Sequence, residues 1–367
     1  MDYVIVGAGI TGAVIARELC DAGYAVQVVE QRPHLGGNMH DAVHASGIRY
    51  HVYGPHYFRT ASIDLWRYVN LFSRFYPYEA ILKTQVGGKN FAWPLNRAEL
   101  IEGFGEVDPQ CVTANPINFR EAMLNQLSPA VYETFIEPYT EKQWGTTADK
   151  LALDLAGRIE LRDSKDPRLK TSPYQGIPVG GYTAWFEKIL DGIPVDRGVD
   201  FSNDSDRYQW RRKLIYTGPI DRLFNSCHGR LSYRAQQRTH LFFPDIDRAM
   251  PCGQVNFPSW EDGAHIRAIE WRHMLEPGEF NGKGTLVTTE TPYSPQTWND
   301  LEYPCPEAES RRRYALYRDL ANERKDLLVC GRLGEYRYLD MDQALGRALM
   351  LSRQLIIEAG NVARDVA

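Results

Sequence analysis

The chain has 367 residues, 43% of them hydrophobic and 24% charged, with a formal net charge of −5. This composition predicts one large folded unit of two or three subdomains with a sizeable core. The negative charge gives no electrostatic reason to expect nucleic acid or an anionic membrane as a partner, so an anionic ligand would have to be held by local arginines.

The first element is a buried strand at residues 2–6, which runs directly into a glycine-rich turn and an apolar helix. A second strand, residues 25–29, ends at Glu30, and this order is the βαβ fingerprint of a dinucleotide site. The helix N-terminus supplies free N–H groups for the phosphates, and Glu30 is placed to accept hydrogen bonds from ribose hydroxyls. A glycine-rich turn that only caps a helix is the plain alternative. The residues expected to hold the cofactor here are Gly7, Gly9, Ile10, Thr11, Gly12, Glu30 and Gln31.

A second glycine motif follows the second strand, at His34-Leu35-Gly36-Gly37-Asn38. It resembles the Gly-Gly motif of the flavoprotein family that includes amine oxidases, in which the pair passes close to the cofactor. NAD dehydrogenases do not require this second glycine motif, so the sequence favours FAD. Gly37 and Asn38 are expected among the residues that contact FAD.

The same fold is predicted to return later in the chain, with buried strands near residues 213–219 and 326–332 and a long helix from about Met341. Residues 96–165 are helix-like, whereas residues 230–295 carry the short β-branched stretches of an antiparallel sheet. We therefore predict an α/β fold, in which an FAD-binding Rossmann-like domain carries a helical insert and an antiparallel-sheet insert. The predicted domains are 1–75, 180–228 and 318–367 for FAD, 96–165 for the helices with a mobile lid at 158–175, and 76–95 with 229–317 for the sheet.

Four more segments carry polar or aromatic groups suited to a binding site. They are the Gly-Pro turn at residues 52–60, the aromatic segment 139–145, the arginines at 158 and 162, and the strand-to-helix junction 331–342. In an FAD fold that junction faces the isoalloxazine ring.

Together these segments resemble the UDP-galactopyranose mutase family along nearly the whole chain. The most specific matches are HVYGPHYF, YTEKQWG, YQGIPVGGYT, YTGPID and GRLGEYRYLDMD. The resemblance implies FAD that is active when reduced, and a UDP-sugar whose ring is isomerised through a covalent flavin–sugar iminium without net redox change. It also implies a cellular flavin reductant, either NAD(P)H or a reductase, and a homodimer.

The resemblance also carries roles onto residues of this chain. It implies that Arg158 and Arg267 grip the diphosphate, for which the planar guanidinium is suited, and that Tyr303 and Tyr338 hydrogen-bond it. The remaining residues that we expect at the substrate are Phe135, Tyr139, Thr140, Trp144 and Asn256, with Tyr139 stacking on uracil and Trp144 lining the sugar site. Near the flavin we expect His56, Gly218, Arg332, Tyr338, Asp340 and Met341.

Each role has a plain alternative. Tyr139 and Trp144 are at a spacing that also suits packing between helices, and Arg158 and Arg162 also suit a solvated helix face. His56 also suits a core position, and either Tyr336 or Tyr338 also suits burial.

Two positions depart from the family pattern. Arg59 replaces a histidine, and we hypothesise that it recognises the acetamido oxygen of UDP-N-acetylgalactosamine; the alternative is that it pairs with a neighbouring acid or the flavin. Leu169 stands where the family has a tyrosine, so one phosphate hydrogen bond is either missing or supplied by Arg168 or Tyr174.

Six scattered cysteines without C-x-x-C spacing favour neither a zinc site nor a disulfide framework and fit a reducing compartment. The first predicted strand leaves no room for a signal peptide, and no apolar stretch is long enough to span a bilayer. We therefore expect a cytoplasmic protein without a bound metal. Two rival functions stay open at this point, an FAD-dependent amine oxidase or dehydrogenase and a non-catalytic UDP-sugar-binding flavoprotein.

Overall fold

The computed structural model describes residues 1–365. Its centre is a five-stranded parallel sheet, in which the first strand of the chain is the middle strand. The strands, in spatial order, are Val195–Arg197, Val26–Glu30, Tyr3–Val6, Lys213–Tyr216 and Leu327–Val329. Strands far apart in the sequence are therefore neighbours, as predicted for a fold that is interrupted and resumed.

Both faces of this sheet are covered. Successive residues of each strand point to opposite faces, and the residues on each face are buried in a separate core. Ile5 and Ile215 face a core with the helices Ile10–Asp21, Gly181–Ile189 and Met341–Asp365. Val4 and Leu214 face the opposite core, which is closed by the helix Ala308–Glu323. The sheet thus has helices on both faces and its carboxyl ends free to line a cavity.

A seven-stranded mixed sheet forms the second layer of the molecule. Its strands, in spatial order, are Tyr303–Pro304, Tyr233–Phe243, Thr285–Tyr293, Arg267–Glu270, Gln254–Asn256, Leu82–Val86 and Lys89–Trp93. The prediction of an antiparallel insert holds for all pairs except one, since Gln254–Asn256 and Leu82–Val86 run parallel. These two strands come from separate passes of the chain, so no hairpin forces them to be antiparallel.

Residues 96–158 form a compact helical region beside this sheet. Three of its helices begin at side-chain caps, because Asn96, Asn118 and Ser128 accept hydrogen bonds from backbone N–H groups three residues ahead. Its α-helices are Arg97–Phe104, Phe119–Leu124, Pro129–Val131 and Glu137–Trp144, joined by a π-helical turn at Tyr132–Ile136, with 3₁₀ turns at Ala148–Lys150 and Leu153–Arg158.

Smaller elements connect these layers. They comprise a three-stranded sheet of Phe58–Thr60, Tyr174–Pro178 and Phe75–Pro77, the hairpin Asp41–Val43 with Arg49–His51, and the pair Leu95–Asn96 with Leu161–Arg162. The short helices are Ile63–Asn70, Phe201–Asp204, Ile220–Leu223 and Gly331–Gly334, with 3₁₀ turns at Gly37–Met39, Ser205–Arg207, Trp260–Asp262 and Trp271–His273. The α/β fold class is confirmed, while the numerical domain boundaries stay a prediction.

None of the helices within residues 1–365 combines the length and the apolar composition needed to cross a membrane.

Candidate active site

The glycine loop forms one end of a cavity at the carboxyl edge of the parallel sheet. Gly7 has φ +103°, and a Cβ there would collide with Thr217, whereas a Cβ on Gly12 would collide with the carbonyl oxygen of Gly7. Gly9 differs, because the nearest atom to an added Cβ is the Cα of Gly37 at 3.8 Å. Gly7 and Gly12 must therefore be glycine because neighbouring protein atoms leave no room for a side chain. At Gly9 the absence of a side chain leaves the backbone exposed to the cavity.

The helix behind this loop begins without a side-chain cap and without an acidic residue in its first turn. Its first N–H groups and its positive dipole end are therefore free, and Ile10 and Thr11 line the cavity. This arrangement fits the pyrophosphate of a dinucleotide without a cationic side chain.

Glu30 lies at the end of the second strand and is buried. Its Oε2 accepts a hydrogen bond from the Ala8 N–H at 2.7 Å, and its Oε1 accepts one from the Arg32 N–H at 2.8 Å. Each carboxylate oxygen has further acceptor capacity, and Glu30 lines the cavity, so ribose hydroxyls fit here.

Most of the residues predicted for FAD line this first cavity, and the donor set fits the cofactor. They are Gly7, Gly9, Ile10, Thr11, Glu30, Gln31, Gly37, Asn38, Gly218, Arg332 and Met341. Gly12 lies behind the loop, where it allows close packing, and Tyr338 and Asp340 line a second cavity instead.

The second cavity is a cleft of about 1330 Å³ between the parallel sheet, the seven-stranded sheet and the helical region. Three residues, His56, Arg332 and Met341, line both cavities. They mark the junction at which a group held in the first cavity would meet a ligand in the cleft. Of the predicted site residues, the cleft is also lined by Arg59, Tyr139, Trp144, Arg158, Asn256, Arg267, Tyr303, Tyr338 and Asp340.

Arg158 stands over an aromatic ring at the mouth of this cleft. Its Cζ lies 3.5 Å from the ring centroid of Tyr338, and its Nη2 lies 3.8 Å from Oδ1 of Asp340. The ring of Tyr303 lies parallel to that of Tyr338, with centroids 6.2 Å apart. About 40% of the Arg158 side chain is exposed, so its N–H donors are accessible to a ligand.

Arg267 is positioned by a buried network of ions. Its Nε donates to Oε2 of Glu290, while Oε1 of Glu290 accepts from Nε of Arg238 at 2.8 Å. Arg238 also donates from both terminal nitrogens to Glu302, at 2.8 Å each. Burial alone would raise the pKa of Glu290, but Arg267 and Arg238 outweigh it and lower that pKa. Glu290, supported by Arg238 and Glu302, holds Arg267 charged at the wall of the cleft.

This network was predictable only in part. Thr285–Tyr293 is an antiparallel strand, as its β-branched residues predict, and in the sheet register Glu290 lies opposite both Arg238 and Arg267. Such cross-strand pairs depend on register, which a single strand pattern does not contain.

His56 is held in one orientation at the junction. Its backbone N–H donates to Nδ1 of His51 at 2.9 Å, and its own Nδ1 lies 2.7 Å from the carbonyl oxygen of Gly54. Burial, together with nearby cationic groups, lowers the pKa of His56 to about 3, so the ring is neutral at physiological pH. Since a carbonyl only accepts, Nδ1 carries the proton and Nε2 is left as an acceptor.

The helix that carries Tyr139 and Trp144 is anchored at its C-terminal end. Nζ of Lys142 donates to three backbone carbonyls of the segment 257–265, and Arg234 donates to the carbonyls of Lys142 and Gln143 at 3.0 and 2.8 Å. Tyr139 stacks near Trp93, with ring centroids 6.5 Å apart, at the cleft wall. The cleft therefore has a fixed aromatic wall, of which Trp93 was not predicted from the sequence.

Two predicted substrate residues do not line the cleft. Phe135 is buried in the helical core, where its ring packs edge-on against Phe91 at 5.1 Å and Phe104 at 5.4 Å. Thr140 is also buried, in the helix Glu137–Trp144. Both residues therefore lie in packing positions and not on the cleft wall.

The structure also decides between the alternatives stated for Arg162 and for the pair Tyr336 and Tyr338. Arg162 is not on a solvated helix face, since it is buried and donates to Glu160 and to the carbonyls of Arg168 and Leu169. Tyr336 is the buried member of its pair, and its hydroxyl donates to the carbonyl of Ser232 at 2.5 Å.

Arg59 donates from Nη2 to Oδ2 of Asp340 at 3.1 Å, so Asp340 lies between Arg59 and Arg158. The alternative that Arg59 pairs with a neighbouring acid is therefore present in the structure. Leu169 and Lys170 line the cleft, whereas Arg168 is bound to Asp166 and Glu79 outside it.

The fold and the two joined cavities define a class of protein, a Rossmann-type flavoprotein whose second cavity is built for an anionic ligand. Comparison with known proteins agrees with this class and narrows it. A model of the NAD(P)-binding Rossmann-like domain matches residues 5–72, and the model of UDP-galactopyranose mutase matches residues 134–338, more than half of the chain. The chain belongs to the UDP-galactopyranose mutase family, which makes it an isomerase, and the family implies a flavin cofactor.

Relatives align over almost their entire length. The chain is 31% identical to the probable UDP-galactopyranose mutase of Klebsiella pneumoniae, with 98% of this chain and 96% of that protein covered. It is 29% identical to the dTDP-fucopyranose mutase of Escherichia coli, with coverage of 94% and 96%. The fold resembles the crystal structure of a reduced UDP-galactopyranose mutase, with a TM-score of 0.77, 14% identity, and coverage of 98% and 96%.

Proposed function

We propose that this protein interconverts the pyranose and furanose forms of a UDP-linked galactose, using bound FAD in its reduced state and without net redox change. The observation that supports this most is the junction of the two cavities at His56, Arg332 and Met341, with two arginines on the wall of the second. A diphosphate held by those arginines would place the attached sugar toward the junction.

In this proposal Arg158 and Arg267 bind the diphosphate and stabilise it as the leaving group. Both can contact phosphate oxygens with two N–H donors, and both remain charged at any physiological pH. Tyr303 and Tyr338 donate hydroxyl hydrogen bonds to the same phosphates; burial raises the pKa of Tyr303 to about 12, so it stays protonated. These charges act where negative charge develops, which is the condition for lowering the barrier.

Other residues orient the substrate. Tyr139 stacks on the uracil, Trp144 lines the sugar, and the neutral Nε2 of His56 accepts a hydrogen bond at the junction. The reduced flavin, when bound, supplies the nucleophile for the anomeric carbon, in the covalent flavin–sugar route that the family resemblance implies.

The proposal extends to the identity of the base and of the sugar in the substrate. A relative named dTDP-fucopyranose mutase is nearly as similar to this chain as the Klebsiella protein, so sugar nucleotides with either base and either sugar must be compared as substrates. We further propose that UDP-N-acetylgalactosamine is accepted, because Arg59 lines the cleft and its one described hydrogen bond leaves donors for an acetamido oxygen.

The oxidase alternative has less support. A putrescine oxidase shares the fold with a TM-score of 0.60 at 14% identity, which is a likeness of fold alone. An amine oxidase needs an apolar cage for its substrate, whereas this cleft carries Arg158 and Arg267.

The test is product analysis by chromatography. The dithionite-reduced holoenzyme is mixed separately with UDP-galactose, UDP-N-acetylgalactosamine and dTDP-fucose, with the oxidised protein as the control. A furanose product from UDP-galactose, formed only by the reduced protein, is the expected result. Oxygen consumption with amines and no furanose from any sugar nucleotide would contradict it.

The variant Arg59→His tests the role of Arg59. If Arg59 recognises the acetamido group, the rate with UDP-N-acetylgalactosamine should fall about tenfold relative to UDP-galactose. An unchanged ratio would mean that Arg59 serves only to hold Asp340.

We also propose a homodimer that works in a reducing compartment such as the cytoplasm, with NAD(P)H or a reductase as the source of electrons. The six cysteines, all within the described residues, are free thiols, which supports the reducing compartment. Light scattering of the holoenzyme would test the dimer.

A further inference from the structure

One loop of the seven-stranded sheet reaches across to the cofactor cavity. Residues 294–300 follow the strand Thr285–Tyr293, and the backbone carbonyls of Gln296 and Asn299 accept hydrogen bonds from Arg230 at 2.9 Å and Arg32 at 3.2 Å. Within the loop, Oγ1 of Thr297 donates to Oδ2 of Asp300 at 2.6 Å. The loop is therefore fixed on both sides of Trp298.

Trp298 is half-buried and lines the first cavity. The guanidinium of Arg230 lies 4.2 Å from its ring centroid, yet Arg230 is not part of the lining described for that cavity. Arg230 therefore supports the indole from behind, where a cation over an aromatic face is favourable. Trp298 itself belongs to the cavity wall.

The surroundings of Trp298 identify which end of the cavity it closes. Arg222, whose Cζ lies 5.6 Å from the Trp298 centroid, donates to Oε1 of Gln31 at 2.9 Å and pairs with Asp200. Gln31 directly follows Glu30, the residue placed for the adenosine ribose. The opposite end of the cavity holds His56 and Met341, where it joins the cleft.

We infer that Trp298 covers the adenine ring of FAD and makes the site select FAD over shorter flavins. An indole presents a flat apolar face on which a purine stacks, and Arg222, which lines the same cavity, adds a cation and N–H donors. Neither the sequence motifs nor the family resemblance assigns a role to this tryptophan. The inference rests on the FAD part of the proposed function and is independent of the sugar.

The test compares cofactors that do or do not contain adenosine. The full-length holoenzyme is prepared as wild type, Trp298→Ala and Trp298→Phe, and FAD release is followed by flavin fluorescence after dilution. Affinities for FAD, ADP and FMN are then measured by titration of the same full chain after flavin removal. Trp260→Ala is the matched control, since Trp260 is 56% exposed and lies in a different loop.

The inference predicts that Trp298→Ala weakens FAD and ADP equally, by about tenfold or more, while FMN is unchanged and Trp298→Phe stays near wild type. Equal weakening of FMN would show general loosening of the fold, and unchanged affinity for FAD and ADP would show that Trp298 does not touch adenosine. Either result would overturn the inference. If the wild type saturated with FAD showed no isomerase activity, the proposed function would be contradicted. The binding measurements on the Trp298 variants would still test the inference.

Discussion

The cofactor cavity and the substrate cleft are built in different ways. The cofactor cavity depends on backbone, because the loop from Gly7 to Gly12 offers N–H groups and leaves no room for a Cβ at either glycine. The cleft depends on charged and aromatic side chains brought together from distant segments, such as Arg59 and Asp340, which are 281 residues apart. The first region should therefore be sensitive to added volume, and the second to lost charge.

The largest effect is expected from breaking the ion network behind the cleft. Glu290→Gln leaves Arg267 and Arg238 side by side without their shared anion, which should lower the free energy of unfolding by about 3–5 kcal/mol. Urea denaturation measures this. Glu309→Gln is the control, because that carboxylate is 59% exposed and its ion pairs should be worth no more than about 1 kcal/mol. Equal losses in the two variants would contradict a special role for the network.

Removing a charge from the cleft wall should abolish most of the activity but not the cofactor. Arg158→Ala is expected to lower kcat/KM by about 10²- to 10³-fold, since one charged donor to the leaving group is lost, with the flavin content unchanged. The steady-state rate of furanose formation and the flavin absorbance of the same sample measure both. Arg312→Ala, whose side chain is 80% exposed, should leave both unchanged. A fall in flavin content with Arg158→Ala would contradict the claim that the cleft and the cofactor cavity depend on different residues.

Adding volume to the glycine loop should do the opposite. Gly12→Val places new atoms against the Gly7 carbonyl and should weaken FAD binding by about 10- to 100-fold. Flavin content after purification measures it. In contrast, Gly346→Ala should not change flavin content, because an added Cβ there meets Leu65 at an ordinary 3.7 Å. Full flavin retention in Gly12→Val would show that the close packing is not needed.

The smallest effect of any single group is expected from mild acid. Chiefly through burial, the pKa is lowered to about 4 for His34 and to about 3 for His51 and His56. The unfolded chain therefore binds more protons below pH 6.5, so stability is full above that pH and is lost as the pH falls toward 4. Each histidine contributes at most about 1.4 kcal/mol per pH unit. Urea denaturation at pH 7.5, 6 and 5 measures how the free energy of unfolding depends on pH. A weaker pH dependence in His51→Asn would show that His51 contributes to it. A stability that does not change over this range would contradict neutral buried histidines.

The same comparison explains which parts of the site the sequence could predict. The glycine loop and Glu30 were predictable because their roles follow from local order along one strand, turn and helix, and the helix does begin at Met341. Phe135 was expected at the substrate but lies in the helical core, and the sequence could not show this because an aromatic residue at helical spacing looks the same in either position.

Register and long-range pairing account for what was missed. Glu290 and Arg238 could not be predicted as a pair, since nothing in either strand states which residues lie opposite. The parallel pair in the seven-stranded sheet was missed for the same reason, because its strands belong to separate passes of the chain. Trp298 has no motif around it and is recognisable only from its position at the end of the cavity.

The central claim is that the cleft binds a nucleoside diphosphate next to the flavin. The most direct measurement is titration of the oxidised holoenzyme with UDP, followed by the flavin absorption spectrum, for the wild type and for Arg158→Ala. The structure predicts a saturable spectral change with one UDP per flavin in the wild type, and a much weaker affinity in the variant. UDP binding that leaves the flavin spectrum unchanged, or that does not depend on Arg158, would contradict the claim.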